Sequence, residues 1–315
     1  MILAILARFS LQIHVPIGRF HPEEEGNEYK LTKYTPIKYP SLAECYKNEI
    51  LTTPNVNHAD LQTKFNDIST NEFYKNLLQK DQTPYLVDPN NKLTADEILA
   101  VFIYTIYDDF CENFTQQLSL GETGHYNCYF EYLYSGIQKI NPKYNGYESD
   151  TLYLGGRYET PEHEEQYAKL IAGDTIISQG ISSTTFSLFA CISLFAQEND
   201  YIFKIKHKFK NSRIIQWISR FVDEAELLFL PETKFKVTSP RKDVYCSQRS
   251  EDCIETYEEG RKHLYMIEVE ELDEDIQPYR EIENPFTYDS IAIPTRAPSW
   301  ILSIIMFVGV FLIVT

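Results

Sequence analysis

The residues of this chain whose types and spacing are best suited to chemistry are two glutamates, Glu224 and Glu226, in the run Ser219-Arg-Phe-Val-Asp-Glu-Ala-Glu-Leu-Leu-Phe-Leu-Pro231. Two positions apart, they point to the same face of an extended strand with about 6 to 7 Å between them, which brings two carboxylates onto one substrate. A carboxylate beside so apolar a run is partly buried and needs a partner. The same spacing recurs in Glu268-Val-Glu270 and Glu281-Ile-Glu283, where it reads as an exposed strand face or a loop. What sets the first pair apart is Arg220 and Phe221 before it and the apolar residues after it.

Two other stretches belong beside this pair. Gly180-Ile-Ser-Ser-Thr-Thr-Phe186 places four consecutive hydroxyls between an apolar strand and an apolar helix, a pattern that also suits a helix N-cap. Thr151-Leu-Tyr-Leu-Gly-Gly-Arg157 runs a strand into paired glycines, which let a backbone approach a ligand closely or simply make a turn.

The elements that position these residues follow from the periodicities. Asp67-Ile-Ser-Thr-Asn71 caps a helix beginning at Glu72, and Thr94-Ala-Asp-Glu97 is a capping box that opens a long amphipathic helix through Ile98, Val101, Phe102, Tyr104, Thr105 and Tyr107. Another helix spans Tyr126 to Ile140. Past Asn141-Pro142 the texture changes to short β-rich runs at Thr151–Tyr153, Thr175–Ser178, Tyr201–Ile205, Arg213–Ile218, Glu226–Phe229, Lys234–Val237 and Tyr265–Val269, with one helix near Leu188–Ala196. Helices first and strands second predict an α+β domain rather than alternating βαβ units. The expected organisation is an N-terminal segment 1–40, one domain 41–285 (helical 41–142, β-rich 143–285), a spacer 286–299 and an apolar tail 300–314.

Composition sets the bounds. The chain has 315 residues, 43% of them hydrophobic and 24% charged, as in a globular protein. Its 23 tyrosines and 19 phenylalanines suggest a well-filled interior. The formal charge of −17 argues against nucleic acid as the main partner. Much of the excess lies in residues 251–283, where 13 acidic residues face three basic ones, either a solvated face or a field that draws cationic substrates. There is no G-x-G-x-x-G dinucleotide fingerprint, and six cysteines without a C-x-x-C pair give no zinc ribbon, so no metal is expected.

In their order, the three stretches resemble the arginine-specific mono-ADP-ribosyltransferase family, whose signature is an Arg-bearing strand, a Ser-Thr-Ser strand and an E-x-E strand. Ser183-Thr184-Thr185 looks like the second element and Glu224-Ala-Glu226 like the third, and the likeness covers roughly residues 90 to 275. The resemblance implies two packed, mainly antiparallel sheets around an NAD cleft, with NAD, and NADP as a further candidate, consumed as substrate. It implies transfer of ADP-ribose to arginine side chains of a protein acceptor, with nicotinamide leaving. Glu226 would bind the ribose 2′-hydroxyl and stabilise the developing cation, Ser183 would hold Glu226, and Glu224 would bind the acceptor guanidinium. Gly155, Gly156, Arg157, Thr184 and Phe221 would contact NAD.

One departure stands out. The family carries Arg in its Tyr-Arg-Gly turn, whereas this chain has Leu154 in Tyr153-Leu154-Gly155. A charge-assisted hydrogen bond of about 1.5 to 3 kcal/mol to the anionic part of NAD would be lost with it. Arg157, past the glycines, is this chain's own candidate for that contact and not a feature of the family. The alternatives are an impaired, receptor-like member of the fold or an NAD glycohydrolase.

The ends point to a membrane. Trp300–Val314 is fifteen residues without a charge. As a helix it is about 22 Å long against a hydrocarbon core of about 30 Å, so it reads either as a short span or as a cleaved glycolipid-anchor signal preceded by the spacer Ser290–Ser299. Met1–Ala7 is apolar but lacks a basic flank, a weak signal peptide. The expected location is a membrane of the secretory route or the cell surface, and the expected state a monomer. Cys246 and Cys253 read either as a local disulfide or as free thiols, and Cys45, Cys111, Cys128 and Cys191 as core.

Overall fold

The computed structural model describes residues 19–22, 41–49, 52, 63, 65–68, 70–106, 109–119, 123, 126–142, 149–156, 161–247 and 252–274. Arg157, Met1–Ala7, the spacer 286–299 and the tail 300–314 lie outside the described residues. Among the described helices none is long and apolar enough to cross a membrane.

Local chemistry starts the helices where the sequence places the caps. For α1 (Leu42–Asn48) the Ser41 hydroxyl accepts from the Glu44 N–H at 3.3 Å, and for α2 (Glu72–Gln79) the Asn71 side chain accepts from the Phe73 N–H at 2.7 Å. The box at α3 (Ala95–Tyr104) is complete: Glu97 N–H donates to Thr94 Oγ1 at 3.2 Å and Thr94 N–H to Glu97 Oε2 at 2.8 Å. The long helix expected past Thr105 ends instead at Tyr104, and a second helix, α4 (Asp109–Ser119), follows. Thr105 ends the first, because its hydroxyl turns back onto the Phe102 carbonyl at 2.7 Å and its N–H bonds the same carbonyl at 3.2 Å.

The following helix, α5 (Asn127–Lys139), has no side-chain cap of its own at Tyr126. Glu49 supplies it from 79 residues upstream, its carboxylate accepting from Cys128 N–H at 2.9 Å and from Tyr129 N–H at 3.4 Å. A Cys45–Cys128 disulfide fastens the same two helices, so these cysteines are a cross-link and not the plain core residues expected. Burial outweighs those two amide bonds and pushes the Glu49 carboxyl up to about 7. Phe110, Phe114 and Tyr129 pack edge to face between α4 and α5, with ring centroids 4.8 Å apart for Phe110–Tyr129 and 5.1 Å for Phe114–Tyr129.

The strands are β1 (Arg19–Pro22), β2 (Thr151–Gly156), β3 (Thr175–Gln179), β4 (Ser182–Thr185), β5 (Tyr201–Lys206), β6 (Ser212–Ile214), β7 (Glu226–Phe229), β8 (Lys234–Cys246), β9 (Cys253–Ile254) and β10 (Lys262–Glu271). Their order is β1-β3-β8-β10-β5-β2-β4-β7-β6, with β9 beside β8. All described pairings are antiparallel except β10 with β5. The two sheets implied by the family resemblance are thus joined in one hydrogen-bonded path. The joint is narrow: β2 meets β4 through the single pair Tyr153↔Thr185. A Cys246–Cys253 disulfide closes the β8–β9 turn.

Strand alternation divides the apolar residues between two faces. Leu152, Leu154, Phe203, Leu227, Phe229 and Phe235 enter one core, and Phe20 of β1 plugs it, its backbone carbonyl taking the Tyr167 hydroxyl of α6 (Pro161–Lys169) at 2.7 Å. Ile202, Leu264 and Met266 enter the other, under the helical turns Leu188–Ala190 and Cys191–Phe195. The hydroxyl run is a strand followed by a cap: Ser182–Thr185 pair with β7, and Ser187 caps the helix by accepting from Ala190 N–H at 3.1 Å.

Candidate active site

Register decides which side chains meet. β4 pairs with β7 as Ser183↔Leu228 and Thr185↔Glu226, and Tyr153 of β2 faces Thr185. Partners across an antiparallel pair share a face, and so do residues two apart, so Tyr153, Ser183, Thr185 and Glu226 lie on one side. The other side takes Leu154, Thr184 and Leu227. Ser183 Oγ therefore reaches diagonally to Glu226 Oε1 and donates to it at 2.6 Å.

The two glutamates are not on one extended strand, as their spacing predicts. Val222–Glu224 forms a 3-10 turn, Ala225 is left-handed at φ 48, and only Glu226 begins β7. The chain turns here because Glu224 N–H bonds the Phe221 carbonyl at 2.9 Å and the Ala225 N–H bonds the Val222 carbonyl, which an extended run would forfeit. Thr185 Oγ1 donates to the Glu224 carbonyl at 2.5 Å and fixes the turn to the hydroxyl strand. Both carboxylates remain buried, each at 3% exposure.

That burial dominates the electrostatics. Desolvation first and the neighbouring Glu224 charge second push the Glu226 carboxyl up to about 8, while Ser183 and the nearby Ser219 hydroxyl favour its ionised form. Burial thereby favours the neutral form of the Glu226 carboxyl. Its Oε2 is buried and makes no hydrogen bond among the described residues, which leaves it open to a donor brought by a ligand.

The other expected site residues fall in varied places. Leu154 is 1% exposed and in register with Phe203, its side chain in the core behind the glutamate face. At Gly155 a Cβ would come within 2.9 Å of Cys191 Sγ, and at Gly156 within 2.7 Å of the Tyr201 hydroxyl, so close packing inside the protein already calls for both glycines. Thr184 donates to the Leu227 carbonyl at 3.0 Å on the core side. Phe221 is half-buried at the start of the glutamate turn, 6.0 Å from the Arg220 guanidinium carbon.

Three residues not singled out for a role in the sequence also belong to the site. Ser219 is fully buried beside Glu226 and accepts from Phe221 N–H at 3.1 Å. Thr105 accepts from Arg220 N–H at 3.1 Å, and the buried Tyr104 hydroxyl donates to the Ile181 carbonyl at 3.0 Å. Their signal was faint, since a Ser, Thr or Tyr at the end of an apolar helix or before a charged loop is common. No group of three or more His, Cys, Asp or Glu that could hold a metal ion occurs among the described residues.

No family model matches the chain, and no curated protein matches it by sequence. Among solved structures it is similar to Plx2a, an ADP-ribosyltransferase toxin from Paenibacillus larvae, at 16% identity over 63% of this chain and 96% of that one, TM-score 0.42. It is also similar to Vis toxin, an ADP-ribosyltransferase from Vibrio splendidus, at 18% identity over 72% and 90%, TM-score 0.39. The type III effector XopAI from Xanthomonas axonopodis pv. citri gives 14% identity over 79% and 92%, TM-score 0.47. Identities and scores this low carry no weight of their own.

Proposed function

We propose that this chain is a mono-ADP-ribosyltransferase that cleaves NAD and transfers its ADP-ribose to arginine side chains. The observation that carries this reading is the Ser183–Glu226 hydrogen bond of 2.6 Å, with Glu224 buried alongside and Oε2 of Glu226 left open. Glu226 takes the ribose 2′-hydroxyl. The nicotinamide ring of NAD is cationic, and its arrival offsets the burial that holds the carboxyl neutral, so the carboxylate forms where positive charge develops at C1′. The bond between C1′ and the nicotinamide nitrogen breaks, and nicotinamide leaves with the electron pair. A guanidinium nitrogen of the acceptor loses its proton towards Glu224 and bonds to C1′.

Because Leu154 fills a core position, Leu154 is not what binds or fails to bind the pyrophosphate in this reading. Arg157 takes the anionic part of NAD, together with backbone amides. The Cys45–Cys128 and Cys246–Cys253 disulfides support an oxidising location such as the secretory route or cell surface, in keeping with an apolar tail.

Incubation with labelled NAD and agmatine, a small guanidine, tests the reading. Labelled agmatine together with free nicotinamide is the expected result. Nicotinamide without labelled agmatine would make the protein an NAD glycohydrolase, and unconsumed NAD would refute the assignment.

A further inference from the structure

The geometry points to Tyr104 and Thr105, at the C-terminal end of α3, as positioning residues that hold the two halves of the catalytic constellation at a fixed separation. This rests on the transferase reading above. The two are adjacent in sequence and reach in different directions. The buried Tyr104 hydroxyl donates to the carbonyl of Ile181, which precedes the strand carrying Ser183. The Thr105 hydroxyl, 1% exposed, accepts from the N–H of Arg220, 115 residues away, at the start of the loop carrying Glu224.

Neither contact is a chance touch of a mobile surface group. Thr105 Oγ1 is committed on its other side to the Phe102 carbonyl at 2.7 Å, which fixes the rotor so that its lone pair faces Arg220. Tyr104 is packed edge to face on Phe114 at 6.4 Å, and burial first and the nearby Glu226 charge second oppose ionisation of its phenol. The helical half thereby grips both sides of the site: one hook on the Ser183 strand, one on the Glu224 loop. Catalytic groups need their geometry held within a fraction of an ångström, and two buried hydrogen bonds from one rigid helix end supply that. The two hooks have separable consequences. Loss of the Thr105 hook frees the Glu224 loop and affects the acceptor half-reaction. Loss of the Tyr104 hook disturbs the Ser183–Glu226 pair and affects NAD cleavage as well.

The test uses the full chain and the variants Thr105→Val, Thr105→Ser and Tyr104→Phe. In Thr105→Val, amide hydrogen exchange at Arg220 and across 219–224 should quicken at least about 10-fold, and Thr105→Ser, which keeps the hydroxyl, should restore it. Transfer to agmatine should fall about 10- to 100-fold in kcat in Thr105→Val and NAD hydrolysis by a clearly smaller factor, whereas Tyr104→Phe should lower both reactions together. Unchanged exchange at Arg220 in Thr105→Val overturns the inference whether or not the protein uses NAD, since that readout needs no substrate. Equal activity of the Val and Ser variants in a wild-type-active background overturns it too. Wild-type protein inactive on NAD would instead refute the transferase reading and with it the catalytic half of the inference.

Discussion

Thr185 joins the two glutamates indirectly: its hydroxyl donates to the Glu224 carbonyl at 2.5 Å and accepts from the Ser187 N–H at 2.9 Å, while its backbone pairs in register with Glu226. One side chain thus sets where the turn of Glu224 ends and the strand of Glu226 begins. Thr185→Val keeps the shape and strands a buried carbonyl, at a cost of about 1 to 3 kcal/mol. We expect a lower melting temperature and reduced NAD cleavage, with Thr185→Ser close to wild type in both.

Ala225 is left-handed at φ 48, a conformation that a β-branched residue resists. Ala225→Gly should leave stability unchanged or raise it by up to about 1 kcal/mol, and Ala225→Val should lower it by about 2 kcal/mol or more and abolish transfer. Denaturant titrations of the two variants, with the agmatine assay, measure both effects.

Glu226 and Glu49 both have raised folded-state values, about 8 and about 7 against an ordinary 4.5. The folded protein therefore binds these protons more tightly than the unfolded chain does, and the stability these two groups contribute is lost as pH rises from about 4.5 to about 8. Glu226→Gln removes the larger share of that penalty. Its stability advantage over wild type should be small near pH 4.5 and grow to a few kcal/mol by pH 8, read from urea midpoints at several pH values.

The Cys45–Cys128 disulfide spans 83 residues and the Cys246–Cys253 disulfide only seven. Chain-entropy reasoning gives about 4 to 5 kcal/mol for the long loop and about 2 for the short one. A Cys45→Ser, Cys128→Ser double variant should melt well below a Cys246→Ser, Cys253→Ser variant, and dithiothreitol should lower the wild-type melting temperature.

Arg157→Ala should weaken NAD binding about 10- to 150-fold, the loss of one charge-assisted hydrogen bond. Calorimetric titration with NAD reads this directly, and unchanged affinity would remove Arg157 from the site.

Much of the scaffold was legible because local chemistry wrote it. Asn71 and Thr94 announce their helices, the β-branched runs announce strands at 175–179 and 201–206, and the apolar Leu-Leu-Phe announces the strand at 226–229. What stayed hidden depends on distant partners. Glu49 reads as one more surface acid until Cys128 and Tyr129 arrive beside it. The break at Thr105 cannot be read from α3 alone, because a Thr at the end of an apolar stripe continues a helix as readily as it caps one.

At the site, the residue types were legible and the geometry was not. E-x-E spacing predicts a shared strand face, and a left-handed Ala225 is invisible to periodicity. Leu154 stood out as a missing cation, yet the pairing of Tyr153 with Thr185 decides that position 154 faces the core. Register is a property of two strands, and one strand's sequence does not contain it.

The division of labour between the two carboxylates is the central claim, and parallel measurement of NAD hydrolysis and agmatine labelling in Glu224→Gln and Glu226→Gln tests it most directly. Glu226→Gln should abolish both reactions, whereas Glu224→Gln should keep hydrolysis within a few-fold of wild type and suppress labelling by about 100-fold or more. Equal loss of both reactions in Glu224→Gln, or retained hydrolysis in Glu226→Gln, would contradict it.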